Sequence, residues 1–201
     1  MSTVHLVDDD EAIRDALSWL LRSRGIASRS WPSAEAFLAD YDSEMRGCLV
    51  LDIRMEAMSG PELFDRLRAL GCRMPTLFLT GHGDIPQAVA ALKNGAFDFI
   101  EKPCHDNRLA DRVQEALALD TELSRREASR LTVRERVHSL TGREREVMDA
   151  ILAGKLNKVI AAELNIAMRT VEVHRARVFE KMGVKSAVEL AQALALAGRE
   201  E

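Results

Sequence analysis

The spacing of apolar residues changes twice along this chain. Through the first half, short apolar runs alternate with stretches in which apolar side chains return every three or four positions. Val4 to Val7, Ser28 to Trp31, Cys48 to Leu51, Thr76 to Thr80 and Asp98 to Glu101 predict strands, and the stretches between them predict helices. The first helix follows Asp10, with Ile13, Ala16, Leu17, Leu20 and Leu21 on one face and Gly25 as a stop. Ser59 with Glu62, and Asp84 with Gln87, have the three-residue spacing of a helix-start capping box. Such a β–α repeat predicts a parallel sheet with helices on both faces. Ligands of that fold bind beyond the carboxyl ends of the strands.

From Asp106 to Val137 the chain has no proline or glycine and is rich in Ala, Leu, Glu and Arg. That composition predicts one long helix or two nearly continuous ones, ending a first domain at 1–119 and continuing as a helical linker over 120–138. Beyond it, Thr141 with Glu144 opens a helix that Gly154 closes, and shorter helices are expected over Asn157 to Leu164 and Met168 to Met182. Gly183 ends the latter, and Ser186 with Glu189 caps a last helix through Leu190, Leu194 and Leu196. Residues 139–201 therefore read as a small all-α domain.

The 201 residues are 47% hydrophobic, enough for a core in each domain. No apolar run approaches the roughly 18 residues that cross a bilayer, and Met1 to Leu6 lacks the basic start of a secretion signal. The expected location is the cytoplasm, with no membrane partner. Cys48, Cys72 and Cys104 are odd in number and widely spaced, so they are expected to be reduced and structural. Charge is uneven: residues 1–120 carry 13 basic against 20 acidic side chains, and residues 121–201 carry 15 against 12. A carboxylate-rich site in the first half and a polyanion partner for the second would account for this.

Asp8, Asp9 and Asp10 follow the first strand and Asp52 ends the third, so the sheet rule collects carboxylates at one rim. Taken alone, a triple aspartate after a strand is as often just a turn and helix cap. Carboxylates gathered together need a cation, and hard oxygen ligands suit Mg²⁺, which is usually held by one or two carboxylates plus phosphate oxygens. Thr80 ends the fourth strand and Lys102 follows the fifth, adding a hydroxyl and a positive charge for phosphoryl oxygens. No serine or cysteine is paired with a histidine base, which leaves a carboxylate, Asp52, as the nucleophile and an acyl phosphate as its product.

Leu6-Val7-Asp8-Asp9, Leu51-Asp52-Ile53-Arg54-Met55, Leu79-Thr80-Gly81-His82-Gly83 and Lys102-Pro103 resemble a response-regulator receiver, over about Ser2 to Leu119. The resemblance implies a flavodoxin-like (βα)5 fold and phosphate accepted at Asp52 from a sensor histidine kinase. It implies that Asp8, Asp9, Asp52 and the Arg54 carbonyl hold Mg²⁺, with water between Asp8 and the ion as one arrangement. Thr80 and Lys102 would bind the phosphoryl group, Phe99 would be the aromatic switch, and the Lys102-Pro103 peptide would be cis. One position departs: Glu56 stands where the receiver pattern usually has proline, so the loop after Asp52 is expected to be looser and more acidic.

In the second half, two short helices flank a tight Asn165-Ile166-Ala167 turn, the dimensions of a helix-turn-helix. Ile160, Ala161, Leu164, Val171, Val178 and Met182 are expected inside, and Arg169, Glu172, Val173, Arg175, Ala176 and Arg177 outside. Leu140-Thr141-Gly142-Arg143-Glu144, Asn157-Lys158-Val159-Ile160-Ala161 and Thr170-Val171-Glu172-Val173-His174-Arg175 resemble the LuxR-type DNA-binding domain, a tetrahelical unit. With the receiver, the chain is similar to the FixJ/NarL group of transcription regulators. The resemblance makes Met168 to Met182 the recognition helix, with Glu172, Val173 and Ala176 facing bases of double-stranded DNA. Lys158, Arg169, Thr170, Arg175, Arg177 and Lys181 would touch phosphates. Ala167 replaces a common serine there, removing a helix cap. His5, His82 and His174 have no metal-ligand spacing and are expected to be structural or solvent-facing.

These features together predict a switch in which phosphate on Asp52 draws Thr80 inward and lets Phe99 rotate. That would reshape the face formed by Ile85 to Asn94 and the fifth strand into a homodimerisation surface. Two rivals stand beside it. A metal-dependent phosphohydrolase would share Asp, Thr, Lys and Mg²⁺, but the second aspartate such an enzyme needs two residues on is Arg54. A phosphate-independent interaction module would keep the DNA-binding half.

Overall fold

A computed structural model describes residues 2–81, 85–103 and 106–198 of the chain. Two compact units divide it, at 1–124 and 125–201.

The first unit is a five-stranded parallel sheet in the order β2-β1-β3-β4-β5. Its strands are β1 (Thr3–Val7), β2 (Ser28–Trp31), β3 (Gly47–Asp52), β4 (Thr76–Thr80) and β5 (Asp98–Glu101). The intervening helices are α1 (Glu11–Ser23), α2 (Ala34–Asp40), α3 (Gly60–Ala69) and α4 (Ile85–Lys93), and α5 (Asp106–His138) follows the last strand. Every residue of β3 is buried. Its alternate side chains serve two cores: Leu49 and Leu51 pack with Phe37, Leu63, Phe64 and Phe78 on one face, while Cys48 and Val50 pack with Leu17, Leu21, Leu109 and Val113 on the other. The chain reverses its winding between β1 and β3. In such sheets the crevice lies at that point, and here Asp8 and Asp52 leave it side by side.

Local signals set the helix starts. The Asp10 carboxylate accepts from the N–H of Ala12 and Ile13 and caps α1, and the reciprocal Ser59–Glu62 box caps α3. The Asp84 start, His82 and Cys104 lie outside the described residues, while Cys48 and Cys72 are buried free thiols. The Lys102-Pro103 peptide is cis. His5 is buried, its Nε2 toward the Arg46 carbonyl at 3.2 Å and its ring against Trp31 and Phe37.

The second unit contains α6 (Gly142–Leu152), α7 (Asn157–Leu164), α8 (Met168–Met182) and α9 (Ala187–Gly198). Leu140, Val147, Met148, Ile151, Ile160, Val171, Val178, Met182 and Leu190 form its core, and Val133 and Val137 of α5 pack against it. Asn165 turns the chain between α7 and α8 in the left-handed region at φ 52°, and Gly183 does so after α8 at φ 66°. The α9 start differs from a full capping box: Glu189 N–H donates to Ser186 Oγ, but the Glu189 carboxylate accepts from Lys185 N–H.

Glu144 is buried in this unit, where it completes the Thr141 box and takes a 2.7 Å bond from Lys181 Nζ. Lys181 and then the Thr141 N–H hold its carboxyl well below the usual range, at about 2. A carboxyl depressed in the folded chain contributes stability above its ordinary pKa and loses it as pH falls to the folded value. The contribution is therefore full above about pH 4.5 and gone near pH 2. Glu144→Gln should remove about 1–3 kcal/mol at neutral pH and flatten the acid limb between those values. Urea unfolding followed by far-UV circular dichroism at pH 7 and pH 3 reads both effects; an unaltered acid limb would contradict the role assigned to this pair.

Candidate functional site

Four strand ends meet at one rim. Asp8, at the end of β1, and Asp52, the last residue of β3, are both buried, while Asp9 is exposed beside them. Carboxylate oxygens of all three lie within 4.8 Å of one another. Lys102, just beyond β5, crosses the rim and donates to Asp8 Oδ2 at 2.8 Å and to Asp52 Oδ1 at 2.7 Å. Burial works against the Lys102 charge, but its bonds to Asp52 and Asp8 outweigh that and hold its pKa above the ordinary lysine value. Burial pushes the Asp52 carboxyl up, and Lys102 pulls it back only in part.

The triple aspartate divides its labour. Asp10 is the α1 cap, the bland role, whereas Asp8 turns one oxygen to the Asp10 N–H at 2.9 Å and the other to Lys102. Hard oxygens at this separation fit a divalent cation of the Mg²⁺ type, which is commonly held by only one or two protein carboxylates.

Thr80 closes β4 and is fully buried, and its Oγ1 has no hydrogen-bond partner among the described residues. An unpaired buried hydroxyl is costly and calls for a partner or a function. The Thr80 carbonyl accepts from Lys102 N–H at 2.7 Å, so the two residues share a main-chain bond. Phe99 lies opposite Phe78 in the β4–β5 register and packs half-buried against the core.

The β3–α3 loop is tied at both ends rather than loose. Ile53 N–H donates to the Leu79 carbonyl at 3.0 Å, and Gly60 N–H donates back to the Ile53 carbonyl at 3.1 Å. A methyl group at Gly60 would stand 2.1 Å from the Asp52 carbonyl oxygen, so only glycine lets α3 begin this close. Between them Ala57 sits in the left-handed region at φ 62°, at a cost of about 1–2 kcal/mol for a residue with a Cβ. The expectation of looseness is corrected further at Glu56, whose backbone N–H donates to Asp9 Oδ2 at 3.0 Å. Its acidic side chain is exposed, as expected. Sequence reasoning missed this link because 47 residues separate the partners.

On α8, Arg169, Thr170, Glu172, Val173, Ala176 and Arg177 are exposed, as is Lys158 on α7. Arg175 is half-buried with its guanidinium 5.6 Å from the Phe179 ring centre. His174 is half-buried, with Nδ1 lacking a partner among the described residues. Lys181, expected at phosphate, instead bonds Glu144 and the Ser139 carbonyl. Arg169 leans toward Glu172 at 3.5 Å. As expected, Ala167 gives α8 no side-chain cap.

Comparison with known proteins decides the family. Residues 4–114 match the response regulator receiver domain, and residues 138–194 match the bacterial regulatory proteins of the luxR family. The chain is a two-component response regulator with a LuxR-type DNA-binding domain. This regulator is 50% identical over 192 residues to the C4-dicarboxylate transport transcriptional regulatory protein DctR of Rhodobacter capsulatus, covering 94% of this chain and 98% of that one. It is 44% identical over 200 residues to the transcriptional regulatory protein FixJ of Rhizobium meliloti, covering 98% and 96%. Among solved structures, the response regulator StyR superposes with a TM-score of 0.89 at 40% identity, covering 96% of this chain and 98% of that one. Full-length FixJ from B. japonicum gives 0.62 at 41% identity, covering 100% and 98%. The relatives are transcriptional regulators, which weighs against the phosphohydrolase reading. No helix among the described residues is long and apolar enough to cross a membrane.

The orphaned hydroxyl makes Thr80 a sharp test. Thr80→Val should raise the stability of the unphosphorylated regulator by about 1 kcal/mol, while abolishing its response to phosphate. A urea midpoint at or below that of the unaltered chain would show that the hydroxyl is already satisfied.

Proposed function

We propose that Asp52 accepts a phosphoryl group from a sensor histidine kinase and that this modification drives homodimerisation and sequence-specific binding to double-stranded DNA. The observation that carries the reading is Lys102 held between Asp8 and Asp52, beside the unpaired Thr80 hydroxyl. An Asp52 carboxylate oxygen attacks phosphorus in line, and the donor's P–N bond breaks as the new O–P bond forms; its electron pair passes to the ring nitrogen, so the donor histidine, protonated on its other nitrogen, departs as neutral imidazole. Lys102 and the Thr80 hydroxyl then bind the phosphoryl oxygens. Asp8, Asp9, Asp52 and the Arg54 carbonyl would hold Mg²⁺, whose charge offsets that of the transferring group. Burial of Asp52 disfavours its anion, so a cation in the cup would also keep the nucleophile ionised.

Drawn toward the phosphoryl group, Thr80 leaves space into which Phe99 rotates, and the α4–β5 face changes shape into a dimerisation surface. A swing from 1:99 to 99:1 in favour of that state requires about 5.5 kcal/mol of differential affinity, which an acyl phosphate held by Lys102 and a divalent cation can supply.

In the second domain, α8 is the recognition helix. Glu172 accepts from cytosine N4, Val173 meets a thymine methyl and Ala176 lets the backbone approach the base edges. Lys158, Arg169, Thr170, Arg175 and Arg177 contact phosphates. Lys181 contributes to that face only by leaving Glu144. Residues 120–138 act as the helical linker, and the protein works in the cytoplasm.

The chain should take up phosphate from a small phosphodonor stoichiometrically and only with Mg²⁺, shift to dimer in gel filtration, and retain genomic DNA fragments more tightly. Asp52→Asn should do none of these, and donor-dependent dimerisation that survives the substitution would reject the reading. Arg177→Ala should weaken binding to all sequences alike and lower the slope of log affinity against log salt by about 1; a change in sequence preference instead would place Arg177 at a base.

A further inference from the structure

Lys102 secures only part of the acidic cup. Its ammonium reaches Asp8 and Asp52, and both of those carboxylates are buried. Asp9 is exposed, and a short carboxylate side chain on the solvent side of a cluster of like charges is repelled outward. What meets it is main chain from another element. Glu56 N–H, in the β3–α3 loop, donates to Asp9 Oδ2 at 3.0 Å.

The loop is built to hold that donor in place. Met58 is buried in the core and Met55 packs half-buried against it, so Glu56 and Ala57 form an outward arch between two apolar anchors. The Ser59–Glu62 box fixes the far end of the arch. Ala57 takes a left-handed conformation that an alanine disfavours, which persists only where surrounding contacts over-determine it. A backbone donor on an arch so constrained keeps its direction.

We infer that the Glu56 backbone N–H is a positioning group for the cation site, committing one Asp9 oxygen to the loop so that the other faces Asp8 and Asp52. The inference rests on the reading of this cup as a Mg²⁺ site. Outer partners that orient a metal-binding carboxylate change metal affinity by about 10–100-fold when removed, and a solvent-exposed one falls at the lower end. The Glu56 side chain plays no part, since the donor is main chain. Any residue except proline supplies it.

Two substitutions at one position separate backbone from side chain. Mg²⁺ titrated calorimetrically into the full, unphosphorylated chain should bind about tenfold more weakly to Glu56→Pro than to the unaltered protein. Glu56→Ala, which keeps the N–H and loses the carboxylate, should stay within about twofold. Equal affinity for Glu56→Pro and the unaltered chain overturns the inference and leaves the Mg²⁺ site standing. Equal weakening in both variants overturns it in favour of the acidic side chain. An unaltered chain that binds no Mg²⁺ overturns the metal reading itself, and the inference with it. If Glu56→Pro fails to fold by circular dichroism, amide hydrogen exchange decides. The Glu56 amide of the metal-free chain should exchange several-fold more slowly than in Asp9→Ala, and equal rates overturn the inference.

Discussion

The ammonium of Lys102 between Asp8 and Asp52 is the interaction on which the receiver depends. Parallel strands bring their carboxyl ends to one edge, and this chain places acidic residues at two adjacent ends. Unit charges about 4 Å apart at an effective dielectric constant near 20 repel by about 4 kcal/mol, a large fraction of a domain's net stability. A cation from the end of β5 offsets that repulsion. On the proposed reading, a phosphoryl group on Asp52 would present new anionic oxygens to the ammonium that bonds both buried carboxylates.

The sheet also links these residues to one another. Lys102 N–H bonds the Thr80 carbonyl, and the neighbouring strand pair sets Phe78 opposite Phe99. A group that moves Thr80 therefore acts on main chain hydrogen-bonded to Lys102 and on the strand that carries Phe99. Thr80 keeps a buried hydroxyl without a partner among the described residues, a defect in a resting core. Local defects of this kind are where function overrides packing.

The DNA-binding unit makes a different compromise. Lys181 sits on the helix expected to face DNA, yet it satisfies a buried carboxylate on α6 and the carbonyl of Ser139. Burying Glu144 without it would leave an uncompensated charge. Arg175 is likewise drawn toward Phe179. Lys158, Arg169 and Arg177 remain exposed, with Arg169 leaning toward Glu172.

Strands, helices and most caps were legible in the sequence because each depends on residues within a few positions of one another. β2, β4, β5, α7 and α8 have the bounds that apolar spacing and Gly or Asn stops predict, and the Ser59–Glu62 and Thr141–Glu144 boxes form as spaced. The gathering of Asp8, Asp9, Asp52 and Lys102 was also legible, since strand order in a parallel sheet determines which ends meet. The division of the triple aspartate into cap and cup, the Glu56–Asp9 bond, the left-handed Ala57 and the diversion of Lys181 to Glu144 were not. The Lys102 bond that draws Asp8 into the cup, the Glu56–Asp9 bond and the Lys181–Glu144 bond each depend on where one backbone donor or side chain lies relative to a segment tens of residues away. Periodicity carries no information about that distance, and only packing the elements against one another decides it.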